Sequence, residues 1–141
     1  STDIPSSADF DGDGRADLAI YRDGLWYILG SGGNTIITQF GVSNDRPVVG
    51  DYDNDGRADI AVWRPTDGVW YHMRSSDNGF RAQQFGISSD IPSPGDYDGD
   101  GSNDLGIYRS GTWYLQRSTS GFSVSQFGLP TDIPAPSAYV P

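Results

Sequence analysis

The stretch Asp9-Phe-Asp11-Gly-Asp13-Gly-Arg15-Ala-Asp17 decides the reading of this chain, because it returns twice. The second copy is Asp51-Tyr-Asp53-Asn-Asp55-Gly-Arg57-Ala-Asp59, and the third is Asp96-Tyr-Asp98-Gly-Asp100-Gly-Ser102-Asn-Asp104. Each copy places carboxylates at loop positions 1, 3, 5 and 9. Carboxylates so close together repel unless a cation sits among them. A hard divalent ion that takes six to eight oxygens suits the set, which points to calcium; magnesium demands a smaller octahedral shell and keeps its waters. Gly14, Gly56 and Gly101 hold position 6, where such a loop turns sharply. The backbone carbonyls of Arg15, Arg57 and Ser102, at position 7, are the remaining candidate ligands. The competing reading is three ordinary turns rich in Asp and Gly, but three copies with the same acid spacing favour three metal sites.

An EF-hand does not fit. That loop closes with a bidentate Glu at its twelfth position and leads into a helix. Here the twelfth residues are Ile20, Val62 and Ile107, inside apolar alternating runs, so each acidic loop feeds a strand.

Composition agrees. In 141 residues, one domain's worth of chain, all 19 acids are Asp, all nine basic residues are Arg, and Glu and Lys are absent. Good helix formers are therefore scarce, while Gly, Tyr and Trp are frequent, as in an all-β chain rich in turns. Twelve of the Asp lie in the three loops, and three divalent ions would take the net charge from −10 to −4. No basic patch favours nucleic acid, no apolar run approaches a membrane span, and with no Cys there is no disulfide framework. The start at Ser1, without initiator Met or leader pattern, reads as a mature or processed chain. Loops of this kind work where calcium is about millimolar, which places the protein outside the cell or on its surface.

The repeat extends beyond the loop. Asp3-Ile-Pro5, Asp45-Arg-Pro47, Asp90-Ile-Pro92 and Asp132-Ile-Pro134 mark four starts, spaced 42, 45 and 42 residues apart. The units run 3–44, 45–89 and 90–131. The middle unit's extra residues fall in turns, such as Arg64-Pro-Thr-Asp-Gly68. Each unit reads as a short Pro-containing first strand, the acidic loop, and then a strand such as Leu18-Ala-Ile-Tyr-Arg22. A third strand follows around Trp26-Tyr27, Trp70-Tyr71 or Trp113-Tyr114, and a fourth ends in Gln39-Phe-Gly41, Gln84-Phe-Gly86 or Gln126-Phe-Gly128. Four strands in such a length match one propeller blade.

These features resemble the FG-GAP/VCBS-type repeats, including the more distant blades of the integrin α-subunit. The resemblance covers essentially the whole chain. It implies β-propeller-type blades with calcium held between the first and second strands of each, and it implies no activity. The expected fold is all-β: three four-stranded blades within a single repeat domain, 1–141, plus a spare partial capping strand at 132–141. There Ala138 and Val140 replace the first two acids of a loop. A spare strand and exposed blade faces call for partners. Copies of the same chain are the first expectation, as a closed six-bladed dimer or an open head-to-tail array; membership of a larger polypeptide is the third.

Other residues carry weaker signals. Arg22, Arg64 and Arg109 recur at one place per unit and read as structural ion pairs rather than ligand contacts. The Trp-Tyr pairs read as packing between blades. Trp63 stands where the other units have Tyr21 and Tyr108, and is the best single candidate for a glycan contact. His72 is the sole histidine, too few for a zinc site of HExxH type. No nucleophile elbow or phosphate loop is present, so no catalytic residue is assigned. The expected role is structural or adhesive and self-assembling, with a lectin-like module, or contact with a surface protein, as the alternative.

Overall fold

The computed structural model describes residues 2–135. It contains twelve strands and no helix in that span: β1 (Ile4–Pro5), β2 (Leu18–Arg22), β3 (Leu25–Leu29), β4 (Thr35–Gln39), β5 (Arg46–Pro47), β6 (Ile60–Arg64), β7 (Val69–Met73), β8 (Phe80–Gln84), β9 (Ile91–Pro92), β10 (Leu105–Arg109), β11 (Thr112–Arg117) and β12 (Gly121–Gln126). They form three four-stranded antiparallel sheets, β1–β4, β5–β8 and β9–β12, each in chain order. All three sheets fall inside the unit boundaries read from the sequence.

The first strands are shorter than the sequence suggests. Each is a two-residue pairing, Ile4 opposite Tyr21 and Pro5 opposite Ile20 in the first unit, followed by an isolated bridge such as Gly50 to Asp59. Proline lacks the N–H that would continue the ladder, which accounts for the brevity. The partial capping strand expected at 132–141 falls mostly beyond the described residues. Residues 132–135 carry no strand within the described chain, and 136–141, including the Ala138 and Val140 positions, lie outside the described residues.

Alternation gives each sheet two faces. On the first sheet, Leu18, Ile20, Tyr27 and Leu29 share one face, and Ala19, Tyr21, Trp26 and Ile28 share the other, as the register Ile20 to Tyr27 and Tyr21 to Trp26 requires. The second of these faces packs on the next sheet: Tyr21 and Trp26 cluster with Val62, Ile60 and Tyr71. The pattern repeats one unit on, where Ala61, Trp63 and Trp70 pack on Leu105, Ile107 and Tyr114. The core is therefore two inter-sheet layers of the same design. The indole N–H groups find local partners: Trp26, Trp70 and Trp113 donate to the carbonyls of Phe40, Phe85 and Phe127 at 2.9, 2.8 and 2.9 Å. Trp26 with Tyr71, and Trp70 with Tyr114, pack between sheets as expected of the Trp-Tyr pairs, whereas Tyr27 and Trp113 lie in neither layer. Trp63 is corrected: it is 0 % exposed, so it fills the layer between sheets and offers no face to a glycan.

Candidate metal centres

Each acidic loop joins the first strand of its unit to the second, and its own backbone shapes it. In the first loop the N–H groups of Gly12 and Gly14 donate to the two oxygens of Asp9 at 2.7 and 2.8 Å. Those of Asp13 and Arg15 donate to Asp11 and Asp13 at 3.1 and 2.9 Å. Gly14, Gly56 and Gly101 adopt φ values of 86°, 85° and 93°, in the left-handed region that only glycine enters without strain. The third loop repeats the pattern, with Gly101 donating to Asp96 at 2.9 Å.

The loops gather carboxylate oxygens within 4.8 Å of one another. The third brings together Asp96, Asp98, Asp100 and Asp104, the first Asp9, Asp11 and Asp13, and the second Asp51, Asp53 and Asp59. Asp17 and Asp55 are the two loop acids outside these groups. Both have other engagements. Asp55 accepts from the Ser75 hydroxyl at 2.6 Å and from Arg57 at 3.3 Å. Asp17 accepts from the N–H groups of Phe10 and Ser31, each at 2.8 Å.

Position 9 thus has a second task. Asp59 takes N–H bonds from Tyr52 and Ser75 at 2.8 and 2.7 Å; Asp104 takes them from Tyr97 and Ser118 at 2.6 and 2.7 Å. All three position-9 side chains are buried, and each ties the loop's start to the turn after the third strand. That turn supplies residues the sequence reading missed. The hydroxyls of Ser31, Ser75 and Ser118 donate to Asp13, Asp55 and Asp100. Each Ser lies five residues after its Trp, a recurrence that would have revealed them.

The electrostatics show crowding. On Asp11 the hydrogen bond from Asp13 works downward, but burial and the charges of Asp13, Asp17 and Asp9 prevail and raise its pKa. Burial raises those of Asp51 and Asp59. Asp100 goes the other way, to about 2, because Ser118 and Thr119 donate to it. Two oxygens test whether the loops fit a cation. Asp53 Oδ1 and Asp98 Oδ1 are buried and accept no hydrogen bond, although their sister oxygens are engaged, Asp53 Oδ2 by Ser76 at 2.6 Å and Asp98 Oδ2 by Thr119 at 2.9 Å. A buried anionic oxygen without a partner is costly, and a hard cation is the partner that this all-oxygen set fits.

The arginines behave as structural groups. Arg64 and Arg109 form two-pronged pairs with Asp45 and Asp90, at 2.8 and 2.9 Å and at 2.6 and 2.8 Å, and Arg22 pairs likewise with Asp3. His72 stacks on Tyr52 with ring centroids 4.8 Å apart, and burial with Arg81 and Arg74 nearby lowers its pKa to about 4.

A family model described as FG-GAP-like repeat matches residues 9–62 and again 51–107. No curated protein and no solved structure matches the chain.

Proposed function

The chain belongs to the FG-GAP-like repeat family, and from that premise we propose that it is an extracellular, calcium-binding structural or adhesive repeat protein that assembles with copies of itself. The observation that carries the calcium reading is the pair of buried, partnerless oxygens, Asp53 Oδ1 and Asp98 Oδ1, inside acid clusters. Three ions would be held, one per loop. The ligands would be Asp9, Asp11, Asp13 and Asp17 with the Arg15 carbonyl; Asp51, Asp53, Asp55 and Asp59 with that of Arg57; and Asp96, Asp98, Asp100 and Asp104 with that of Ser102. Bound calcium supplies the charge that lets these acids stand together, and it pins the first strand of each propeller-type blade to the second. Asp17, Asp59 and Asp104 can serve both tasks, since a carboxylate oxygen that accepts one N–H keeps a lone pair for an ion. Self-association is supported by the large apolar side chains that the two outer units expose, Leu18 in the first and Phe127 in the third.

Calorimetric titration of metal-stripped protein with calcium tests the metal reading. Binding of three ions per chain, with an Asp98→Asn variant binding two, is the expected result; no heat and no change in melting temperature would overturn it.

A further inference from the structure

The two ends of the described chain carry complementary halves of the joint used between its own sheets. Inside the chain, the Tyr21–Trp26 face of one unit packs on the Val62–Tyr71 face of the next, and the Trp63–Trp70 face packs on Ile107 and Tyr114. The first unit's equivalent of the receiving face is uncovered: Leu18 is 66 % exposed, where its counterpart Leu105 is 8 %. The third unit's equivalent of the donating face is open too. Phe127 is 79 % exposed, and Trp113 is only half-buried where Trp26 and Trp70 are buried.

The acidic loops repeat this asymmetry. The N–H of Ala58 donates to the carbonyl of Asp9, and that of Asn103 to the carbonyl of Asp51, both at 2.7 Å. Position 8 of each loop thus bonds position 1 of the loop before it. The next pair in the series is the carbonyl of Asp96 and the N–H of Ala16, and among the described residues neither has a backbone partner of this kind.

The segment that leads into a fourth unit is already shaped. Leu129 N–H donates to Asp132 Oδ2 at 2.8 Å, and Tyr108 hydroxyl to the Leu129 carbonyl at 2.8 Å. Val42 does the same for Asp45, and Ile87 for Asp90, at 2.9 and 2.8 Å. Asp45 and Asp90 are buried against Arg64 and Arg109, whereas Asp132 is exposed and pairs with no arginine among the described residues. Pro134 lines the same 510 Å³ cavity as Ile4, Pro5, Pro47 and Pro92, so it belongs to the same inner row. In sequence, Thr131-Asp132-Ile133-Pro134 repeats Thr2-Asp3-Ile4-Pro5 residue for residue. With Ala138 and Val140 where the acids of a fourth loop would stand, this start does not continue into an acidic loop of its own.

We propose that Thr131–Pro134 of one copy inserts beside β2 of a second copy, with Asp132 pairing to that copy's Arg22 in place of its own Asp3, while the open face of the third unit covers Leu18, Ile20, Tyr27 and Leu29. This rests on the self-association reading above and names its slot. The resident Asp3 is the replaceable partner. The Asp3–Arg22 pair is 43 % and 41 % exposed, where Asp45 and Asp90 are 0 % in theirs, and a solvated pair of this kind contributes little. Asp132 arrives with its carboxylate already oriented by Leu129, which lowers the ordering cost of the contact. The joint also places the third loop's Asp96 carbonyl against the first loop's Ala16, so it forms between calcium-shaped loops. It runs from one end of a copy to the other end of the next, giving a ring or a filament.

The test is sedimentation of the 141-residue chain in calcium, with calorimetric calcium stoichiometry measured on the same samples. The parent is expected to associate. Arg22→Asp and Asp132→Arg alone should each weaken association by about a hundredfold, the scale of breaking a buried charge pair. Mixing the two variants should restore it, because each then supplies the other's missing partner. Asp132→Asn, which leaves every sheet untouched, should also weaken it. A parent that binds three ions yet stays monomeric overturns the exchange while leaving the calcium reading intact. Rescue of Arg22→Asp by Asp3→Arg rather than by Asp132→Arg overturns it too, since the first strand would then stay with its own chain.

Discussion

At the scale of the residue, the acids of one loop divide into two kinds. Asp59 is buried and both its oxygens take backbone N–H bonds; Asp53 leaves one buried oxygen with no partner. Asp59→Ala is therefore expected to lower stability by about 2–4 kcal/mol even in chelator, because two buried N–H groups lose their acceptor. Asp53→Asn should be neutral or slightly stabilising in chelator and should lose stability relative to the parent only in calcium. Paired urea titrations with and without metal read the difference, and equal losses for both variants in both conditions would show that the division is wrong. The sequence displayed the four acids of each loop but not this division. Spacing identifies a carboxylate, whereas the N–H groups that engage it come from a turn 14 to 16 residues away.

His72 gives a second prediction at this scale. Burial, then Arg81 and Arg74, hold its pKa near 4, below the ordinary 6.5. The unfolded chain then takes up the proton first as pH falls. Stability is complete above about pH 6.5 and declines toward pH 4. The ring is partly solvated, so the loss by pH 5 should be about 1 kcal/mol rather than the full linkage value. His72→Phe, which keeps the stack on Tyr52, should flatten this part of the profile in saturating calcium. An unchanged slope between pH 6.5 and 5 would assign the acid sensitivity to other groups.

At the scale of the element, the first strands have too few ladder bonds to hold themselves. β5 and β9 pair through two residues each, so the arginine of the neighbouring strand fastens them: Arg64 grips Asp45, and Arg109 grips Asp90. Arg64 also lies over the Tyr71 ring, 4.5 Å from its centroid. Arg64→Ala would strand the buried Asp45 carboxylate and should cost about 3–5 kcal/mol. Arg22→Ala, at a solvated pair, should cost far less than Arg64→Ala in monomeric protein. Thermal melts at low protein concentration compare them, and similar losses would mean that burial does not set the worth of the pair. The recurrence of Arg after each apolar strand was legible as a structural pair. Its unequal burial was not, because that depends on whether another unit packs alongside. The same limit applies to Trp63. One irregular aromatic residue looks like a recognition group until the next sheet is seen to cover it.

At the scale of the whole molecule, the four-fold start, the three acidic loops and the alternating runs made the three sheets readable from sequence, since each unit folds mostly on its own residues. How the sheets meet could not be read in the same way, because either face of a strand such as Leu18-Ala-Ile-Tyr-Arg22 is apolar enough to be buried. The joined molecule concentrates charge. Neighbouring loops are bonded to one another through Ala58 to Asp9 and Asn103 to Asp51, so 12 of the 19 acids sit in one connected row. Without metal this row repels itself, and the net charge of −10 opposes the compact state. Calcium at a hundred times its dissociation constant should stabilise by about 2.7 kcal/mol per site. Three sites would then raise the melting temperature by more than roughly 10 °C for a chain of this size. Salt separates this from a nonspecific charge effect. At 0.15 M salt the Debye length is about 8 Å, so sodium chloride should recover part of the lost stability in chelator by screening the acids. In saturating calcium the same salt should change little. A melting temperature that is equal in calcium and chelator at every ionic strength would mean that the acidic row is balanced by its own hydrogen bonds, leaving no structural task for the ion.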